Sequence, residues 1–269
     1  IMFDCNNIFF HYISNLCHIV LAVSQNKNMV MCINFICEII SRIVKVGVIV
    51  FPGSNCDRDM FHVLTDVFHL NTQYFWHEKG LPHDIDAVVL PGGFSYGDRL
   101  RAGVIAANSP VIDDVKKLAN KGIPILGVCN GFQILVESNL LPGVLLKNDS
   151  LNFMCQWTNL IVKNNKTPFT NKLQLNQKIP IPIANGEGRY YADAQLMHDL
   201  KKHNQIVFTY ENYVNGSLQQ IAGICNEDGN IVGMMPHPER AAEGVINPLD
   251  NKPSSLIFES LIHTIGVKN

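Results

Sequence analysis

The stretch that most constrains this chain is Gly127-Val128-Cys129-Asn130-Gly131-Phe132-Gln133. The apolar run Ile123 to Leu126 precedes it and reads as a buried strand. Phe132 to Glu137 follows and reads as the start of a helix. A Gly-x-Cys-x-Gly step between a strand and a helix is the cysteine form of a nucleophile elbow, in which small residues allow a sharp turn and hold one side chain clear of the sheet. The sulfur then lies at a helix N-terminus, where the partial positive charge favours thiolate over thiol.

The chain before the elbow alternates strand and helix. Val46 to Phe51 is a continuous apolar run, as expected of a strand buried on both faces, and Pro52-Gly53-Ser54-Asn55 ends it. Met60, Val63, Leu64, Val67 and Phe68 then follow helical spacing. Gln73 to Trp76 and Ala87 to Leu90 are the next strands, the latter closed by the loop Pro91-Gly92-Gly93-Phe94-Ser95-Tyr96-Gly97-Asp98. Ser109 and Pro110 start a helix as N-cap and first helical residue, and Gly122 stops it. Such alternation predicts an α/β fold, a mostly parallel open sheet with helices on both faces. Ligands of such sheets bind at the carboxyl ends of the strands, where both Cys129 and the Pro91–Asp98 loop fall.

After Gly143 the texture changes to added antiparallel strands. Val144 to Leu146, Asn159 to Val162, Ile179 to Ile183, Ile206 to Tyr210 and Gln220 to Ile224 read as strands, and Ala192 to Asn204 as a helix. Asn226 to Asn230 centres a hairpin on Asp228-Gly229. Ile231 to Met235 leads into Pro236-His237-Pro238-Glu239-Arg240, and Ser254 to Ile265 closes the chain as a helix with Leu256, Ile257, Leu261 and Ile265 inward.

Residues 45–269 therefore read as one domain. Residues 1–44 differ: they hold no Gly or Pro, four of the eight cysteines (Cys5, Cys17, Cys32, Cys37) and no clean period. They are expected to be an atypical N-terminal extension, either unordered or non-native sequence upstream of an internal start at Met29 or Met31. A charged content of 16% and a net charge of -2 without a Lys/Arg run predict no nucleic-acid and no membrane partner, and no apolar run is long enough to span a bilayer. Eight cysteines without a CxxC pair predict reduced thiols and a cytoplasmic protein.

The remaining chemistry lies around Cys129. His237 and Glu239 are separated by one proline, which excludes a helix interior, so an extended segment or loop should turn both side chains to one side. That suits a base and the carboxylate that orients it. A metal reading of His-x-Glu needs a third ligand, and none stands at a convincing spacing, so no metal is expected. Gly93 and Asn130 are candidate backbone N–H donors to an oxyanion. Gly92 and Gln133 are candidate substrate contacts. Together these parts describe acyl transfer through a thioester on Cys129.

Gly127 to Gln133, Pro91-Gly92-Gly93 and His237-Pro238-Glu239 together resemble the class I (triad-type) glutamine amidotransferases, whose architecture is flavodoxin-like. Phe51 to Asp59, Gly92 to Asp98 and Met235 to Ala241 narrow the resemblance to the small, PurQ-type glutaminase subunit of phosphoribosylformylglycinamidine synthase. The resemblance covers about residues 45 to 269. It implies hydrolysis of L-glutamine to glutamate and ammonia. The ammonia would pass to a large ATP-dependent synthetase subunit that makes formylglycinamidine ribonucleotide, with a small bridging subunit between the two. It also implies that ATP and Mg²⁺ belong to the synthetase and that this subunit carries no cofactor. Two positions depart from the family pattern: Asn185, where His is usual, and Asn152, where a basic residue is usual. Three alternatives stay open: a class I subunit feeding another synthetase, a catalytically silent scaffold subunit, and an α/β cysteine hydrolase acting on another amide or ester.

Overall fold

The computed structural model describes residues 44–247 and 254–267. The expected N-terminal extension, apart from Val44, lies outside the described residues.

In the first half, β1 (Lys45–Val50), β2 (Asn71–Trp76), β3 (Ala87–Leu90) and β4 (Ile125–Val128) alternate with α1 (Asp57–His62), α2 (Val111–Asn120) and α3 (Asn130–Glu137). The second half holds β5 (Val144–Leu146), β6 (Met154–Val162), β7 (Lys178–Asn185), β8 (Arg189–Tyr191), α4 (Ala194–Lys202), β9 (Ile206–Tyr210), β10 (Ile221–Cys225), β11 (Ile231–Met234) and α5 (Ser255–Val267). Nine strands form one open sheet in the order β2-β1-β3-β4-β11-β10-β9-β6-β7. From β2 through β11 every neighbouring pair is parallel. From β11 to β7 every pair is antiparallel. The expected α/β sheet with added antiparallel strands is therefore present, with β11 as the strand where direction begins to alternate. All residues of β3, β4 and β11 are buried. Successive side chains of a strand point to opposite faces, so the sheet is covered on both sides at its centre.

Local signals act as expected in most elements. Ser109 stays extended and Pro110 takes helical angles, so the chain enters α2 through the N-cap and Pro pair. Gly122, at φ +76°, ends that helix. Asp193 caps α4 by accepting from the Leu196 N–H at 2.8 Å. In α5, Ile257, Leu261 and Ile265 are buried, while Leu256 is half-buried.

One helix departs from the expected stripe. After α1 the chain makes a π-helical turn over Val63–Val67, where Phe68 donates to the Val63 carbonyl at 3.0 Å. The wider turn shifts the following residues toward the margin of the core, where Phe68 still packs against Phe258 with ring centroids 5.5 Å apart. Met60, Val63 and Leu64 are buried, but Val67 and Phe68 are only half-buried. A second departure is the small sheet of β5 and β8, whose three-residue strand Arg189–Tyr191 is too short to show a period.

The antiparallel half returns to the carboxyl ends of the parallel strands. His237 N–H, beyond β11 in mid-sheet, donates to the Pro182 carbonyl of the edge strand β7 at 2.9 Å. The Cys129 thiol faces the Ala184 carbonyl of the same strand at 3.6 Å. The sheet thus curls, and β7 becomes the far wall of the site that β4 and β11 floor.

The elbow glycines are required by space. Neither Gly127 nor Gly131 has positive φ. A Cβ on Gly131 would stand 1.9 Å from the Leu90 carbonyl oxygen of β3, and one on Gly127 would meet Leu135 at 2.5 Å. Their absence of side chains lets α3 press onto β3 and β4. Gly131→Ala is expected to cost about 1–3 kcal/mol or more, as overpacking does. Gly266→Ala, whose Cβ would meet nothing within 4 Å, is expected to leave thermal unfolding unchanged or slightly raised. Melting curves of the two variants check this, and equal melting temperatures would show that the close approach does not govern stability.

Candidate active site

Cys129 joins β4 to α3 at φ 49°, ψ -105°, a backbone region that non-glycine residues avoid at a cost of about 1–3 kcal/mol. Its N–H donates to the Met234 carbonyl at the end of β11, 2.8 Å away, and its carbonyl accepts from the Gln133 N–H at 3.1 Å. The strained residue is held by a strand on one side and the first turn of a helix on the other. Cys129 is 6% exposed and lines a cleft of about 270 Å³.

His237 and Glu239 meet as expected, but by another geometry. Of the extended segment or loop that the sequence pattern predicts, only His237 is extended, and Pro238–Arg240 form a single 3₁₀ turn. Proline at the first position of that turn loses no hydrogen bond. The turn brings Glu239 Oε1 to 2.6 Å from His237 Nδ1, with both side chains almost fully buried. Burial alone would drive the imidazole toward neutrality. The Glu239 carboxylate and the Cys129 thiol beside it outweigh that, and the imidazole stands well above its usual pKa. Nε2 has no hydrogen-bond partner. The neutral form of this ring, donating through Nδ1 to the carboxylate, has its lone pair on Nε2, and the raised pKa makes that nitrogen a strong acceptor of a proton.

The remaining predicted residues fall in three places. Gly93 lines the cleft with Cys129. Its φ of +149° and its bridge to Ser54 leave no room for a Cβ, which would lie 2.8 Å from Ser54 Cα. Asn130 is the first residue of α3, where helical N–H groups lack intrahelical acceptors. Its side chain fixes the Gly93 loop, with Oδ1 accepting from the Ser95 N–H at 3.1 Å.

Gln133 lines the cleft, but both ends of its amide are engaged. Oε1 accepts from Asn130 Nδ2 at 2.9 Å, and Nε2 donates to the Glu187 carbonyl at 2.7 Å. It braces the loop after β7. Gly92 does not line the cleft. A Cβ there would lie 2.7 Å from His237 Cε1, 3.1 Å from Cys56 Sγ and 3.4 Å from Cys129 Cβ. Its place is behind the site, where it makes room for the imidazole.

Sequence reasoning assigned no role to four residues near the site. Cys56, buried beside His237, receives a hydrogen bond from Arg240 Nη2 at 3.1 Å, and Arg240 also binds Asp59. Burial pushes the Cys56 thiol up, against the pull of His237. Asp98 and Glu187 both face the cleft. Burial, and then the charge of Glu187, raise the Asp98 carboxyl to about 6. Asp98 sits in a run of left-handed residues, with Tyr96, Gly97 and Asp98 at φ 54°, 68° and 51°. Asn185 lines the cleft at 3% exposure, with neither side-chain amide atom partnered. The left-handed Tyr-Gly-Asp loop is the one signal that could have pointed to Asp98.

A parallel sheet with a cysteine elbow and a buried His–Glu pair at its carboxyl edge defines an α/β acyl-transfer fold of the triad amidotransferase class. The chain matches the CobB/CobQ-like glutamine amidotransferase domain over residues 43–263, and it belongs to that family. The Thermotoga maritima PurLQS structure matches with 43% identity and a TM-score of 0.74, covering 82% of this chain and 99% of that one. The resemblance to the PurQ-type glutaminase stands on these two findings. The glutaminase domain of Trypanosoma brucei CTPS with bound acivicin shares the fold at 15% identity and a TM-score of 0.53, covering 84% of this chain and 94% of that one. No helix among the described residues is long and apolar enough to cross a membrane.

The contact of Gly92 with the imidazole is testable without any substrate. Gly92→Ala should displace His237 and slow alkylation of Cys129 by iodoacetamide about tenfold or more, given that ångström-scale misplacement can cost about 10²-fold in rate. Peptide mapping separates Cys129 from Cys56, and an unchanged Cys129 rate would show that the ring is not held against Gly92.

Proposed function

We propose that this chain is the glutaminase subunit of a synthetase complex that forms formylglycinamidine ribonucleotide. The observation that carries the chemistry is the buried His237–Glu239 pair beside Cys129 at the base of a cleft. The narrower assignment is supported by 43% identity to the PurLQS structure across 82% of this chain.

Cys129 Sγ attacks the carboxamide carbon of L-glutamine. His237 Nε2 takes the thiol proton and returns it to the leaving nitrogen, and ammonia departs. Glu239 accepts from Nδ1–H and stabilises the imidazolium that forms. The N–H groups of Gly93 and Asn130 hold the oxyanion of each tetrahedral intermediate, a contribution of about 10²–10³ in rate per donor. Water, with His237 again as base, cleaves the thioester to glutamate. Gln133 acts at one remove, by holding the Glu187 loop. Gly92 keeps the imidazole in place and makes no substrate contact in this reading.

The cleft also suits the amino-acid end of glutamine. Asp98 and Glu187 face the α-ammonium, Lys147 at the rim faces the α-carboxylate, and the unpartnered Asn185 amide offers both a donor and an acceptor. Ammonia then passes to a large synthetase subunit that uses ATP and Mg²⁺, with a small bridging subunit between the two. This chain needs no cofactor for its own half-reaction.

Cys129→Ala should lower glutamine-dependent amidine formation by the complex about 10⁴-fold or more, the scale of losing a catalytic nucleophile. Turnover with added ammonia should persist. Survival of glutamine use would remove Cys129 as nucleophile; stimulation by a different synthetase, with none from this one, would remove the pathway assignment.

A pH dependence follows from Asp98. Its carboxyl is raised to about 6 in the free protein, whereas a bound ammonium favours the ionised form. Below pH 6 a proton must therefore leave on binding, and KM for glutamine should rise up to about tenfold per pH unit, with a plateau above 6. Asp98→Asn should flatten this limb and raise KM at pH 8. Steady-state kinetics from pH 5 to 8 decide it, and a KM that holds constant through pH 6 would place the ammonium elsewhere.

A further inference from the structure

Cys56 has no part in the chemistry above, yet it is buried against the base. Cys56, His237 and Glu239 are 3%, 1% and 2% exposed. Cys56 Sγ, a ring nitrogen of His237 and a carboxylate oxygen of Glu239 all lie within 4.8 Å of one another. His237 Nε2 and Glu239 Oε2 are both buried without a hydrogen-bond partner. The third donor that the His-x-Glu pattern lacked in sequence is supplied from the loop before α1.

We propose that Cys56, His237 and Glu239 form an inhibitory site for a thiophilic divalent cation, Zn²⁺ in the first instance. Thiolate, imidazole and carboxylate are the three ligand types that Zn²⁺ takes, and three protein ligands leave a fourth position for water. The set is too soft for Mg²⁺ or Ca²⁺, which prefer oxygen alone. Binding forms Zn–S, Zn–N and Zn–O bonds and releases two protons to solvent, that of the Cys56 thiol and the one held by the His237 imidazole, with no change of oxidation state. The Arg240 guanidinium, which already donates to this sulfur, favours the thiolate that the metal needs.

The consequence rests on the reading of His237 as the base. An imidazole whose lone pair is shared with a metal cannot accept the Cys129 proton, and a Glu239 bound to the metal no longer orients the ring. The occupied chain would be a closed glutaminase, reopened by a chelator. Because Cys129 is outside the ligand set, the site differs from simple capping of the nucleophile by a metal.

Direct binding tests this without turnover, so its failure leaves the glutaminase reading intact. The full chain is titrated with Zn²⁺ against a chromophoric chelator, and with Co²⁺ as a spectroscopic probe. One equivalent should bind, with a thiolate-to-cobalt charge-transfer band. Cys56→Ser and Cys56→Ala should each remove the band and weaken Zn²⁺ about tenfold or more. Glu239→Gln should also weaken binding, as a second variant should the Cys56 changes disturb folding by circular dichroism. Cys129→Ala should keep both the band and the affinity. Zn²⁺ affinity and a charge-transfer band that are unchanged in Cys56→Ala, or lost in Cys129→Ala alone, would overturn the proposal, as would the absence of binding to the parent chain.

Discussion

The structure depends on one strained residue held in place. Cys129 sits at φ 49° between a strand and a helix, and nothing local favours that conformation. It persists because its N–H is anchored to β11, and because Gly127 and Gly131 let α3 lie against β3 and β4 at distances a Cβ would forbid. The glycines of the elbow thus act through packing. They bring a helix close enough to hold the thiol at its N-terminus, where the helix dipole and the open first-turn N–H groups bear on the sulfur and on any oxyanion formed beside it. Strain at a reactive residue is stable only when its surroundings over-determine it. Seven consecutive buried residues, Asn130 to Val136, provide that here.

The parallel and antiparallel halves contribute differently. The parallel half supplies the nucleophile from β4, the Gly93 loop from β3 and, after β11, the His237–Glu239 turn. The antiparallel half supplies a wall. Its edge strand β7 curls back until Pro182 accepts from His237 and Ala184 faces Cys129. Asn185 and Glu187, next along the chain, then complete the cleft with Asp98. Reaction and recognition are therefore carried by elements with different folding logic, joined where β11 meets β10.

This division explains what could be read from the amino-acid sequence. Cys129, His237, Glu239 and Gly93 sit in short motifs whose local chemistry is unusual: glycines around a thiol, and a proline between an imidazole and a carboxylate. The strands β1, β3, β4 and β9 are short apolar runs bounded by turn residues, and they read directly. Glu187 carries no local mark, Cys56 only sits inside the Phe51–Asp59 motif, and Asn185 stands out only against the family pattern. They reach the site only because β7 curls and because the loop before α1 packs under Gly92, and neither close approach is written in any window of sequence. The 3₁₀ turn at Pro238 was hidden for a related reason. Proline excludes a helix interior but permits both an extended segment and the first residue of a turn, and the choice is made by burial of Glu239.

The two departures from the family pattern are not independent of each other. Asn185 ends β7 and Asn152 lies two residues before β6, on the antiparallel half. The fully buried Asn148 side chain donates to the backbone carbonyls of both, at 2.8 Å to Asn185 and 3.0 Å to Asn152. Its Oδ1 accepts from the Gly188 N–H at 3.0 Å, and its own N–H donates to the Gly186 carbonyl at 2.9 Å. One amide thus fixes the loop that presents both positions, along with Glu187 between Gly186 and Gly188. A buried amide with all these partners satisfied is costly to disturb, since each orphaned group would forfeit about 1–3 kcal/mol. The backbone at 152 and 185 is therefore held whatever side chain stands there. Asn185 is thereby held on the recognition side of the cleft, while Cys129, His237 and Glu239 stay on the half where a shift of an ångström would cost the reaction.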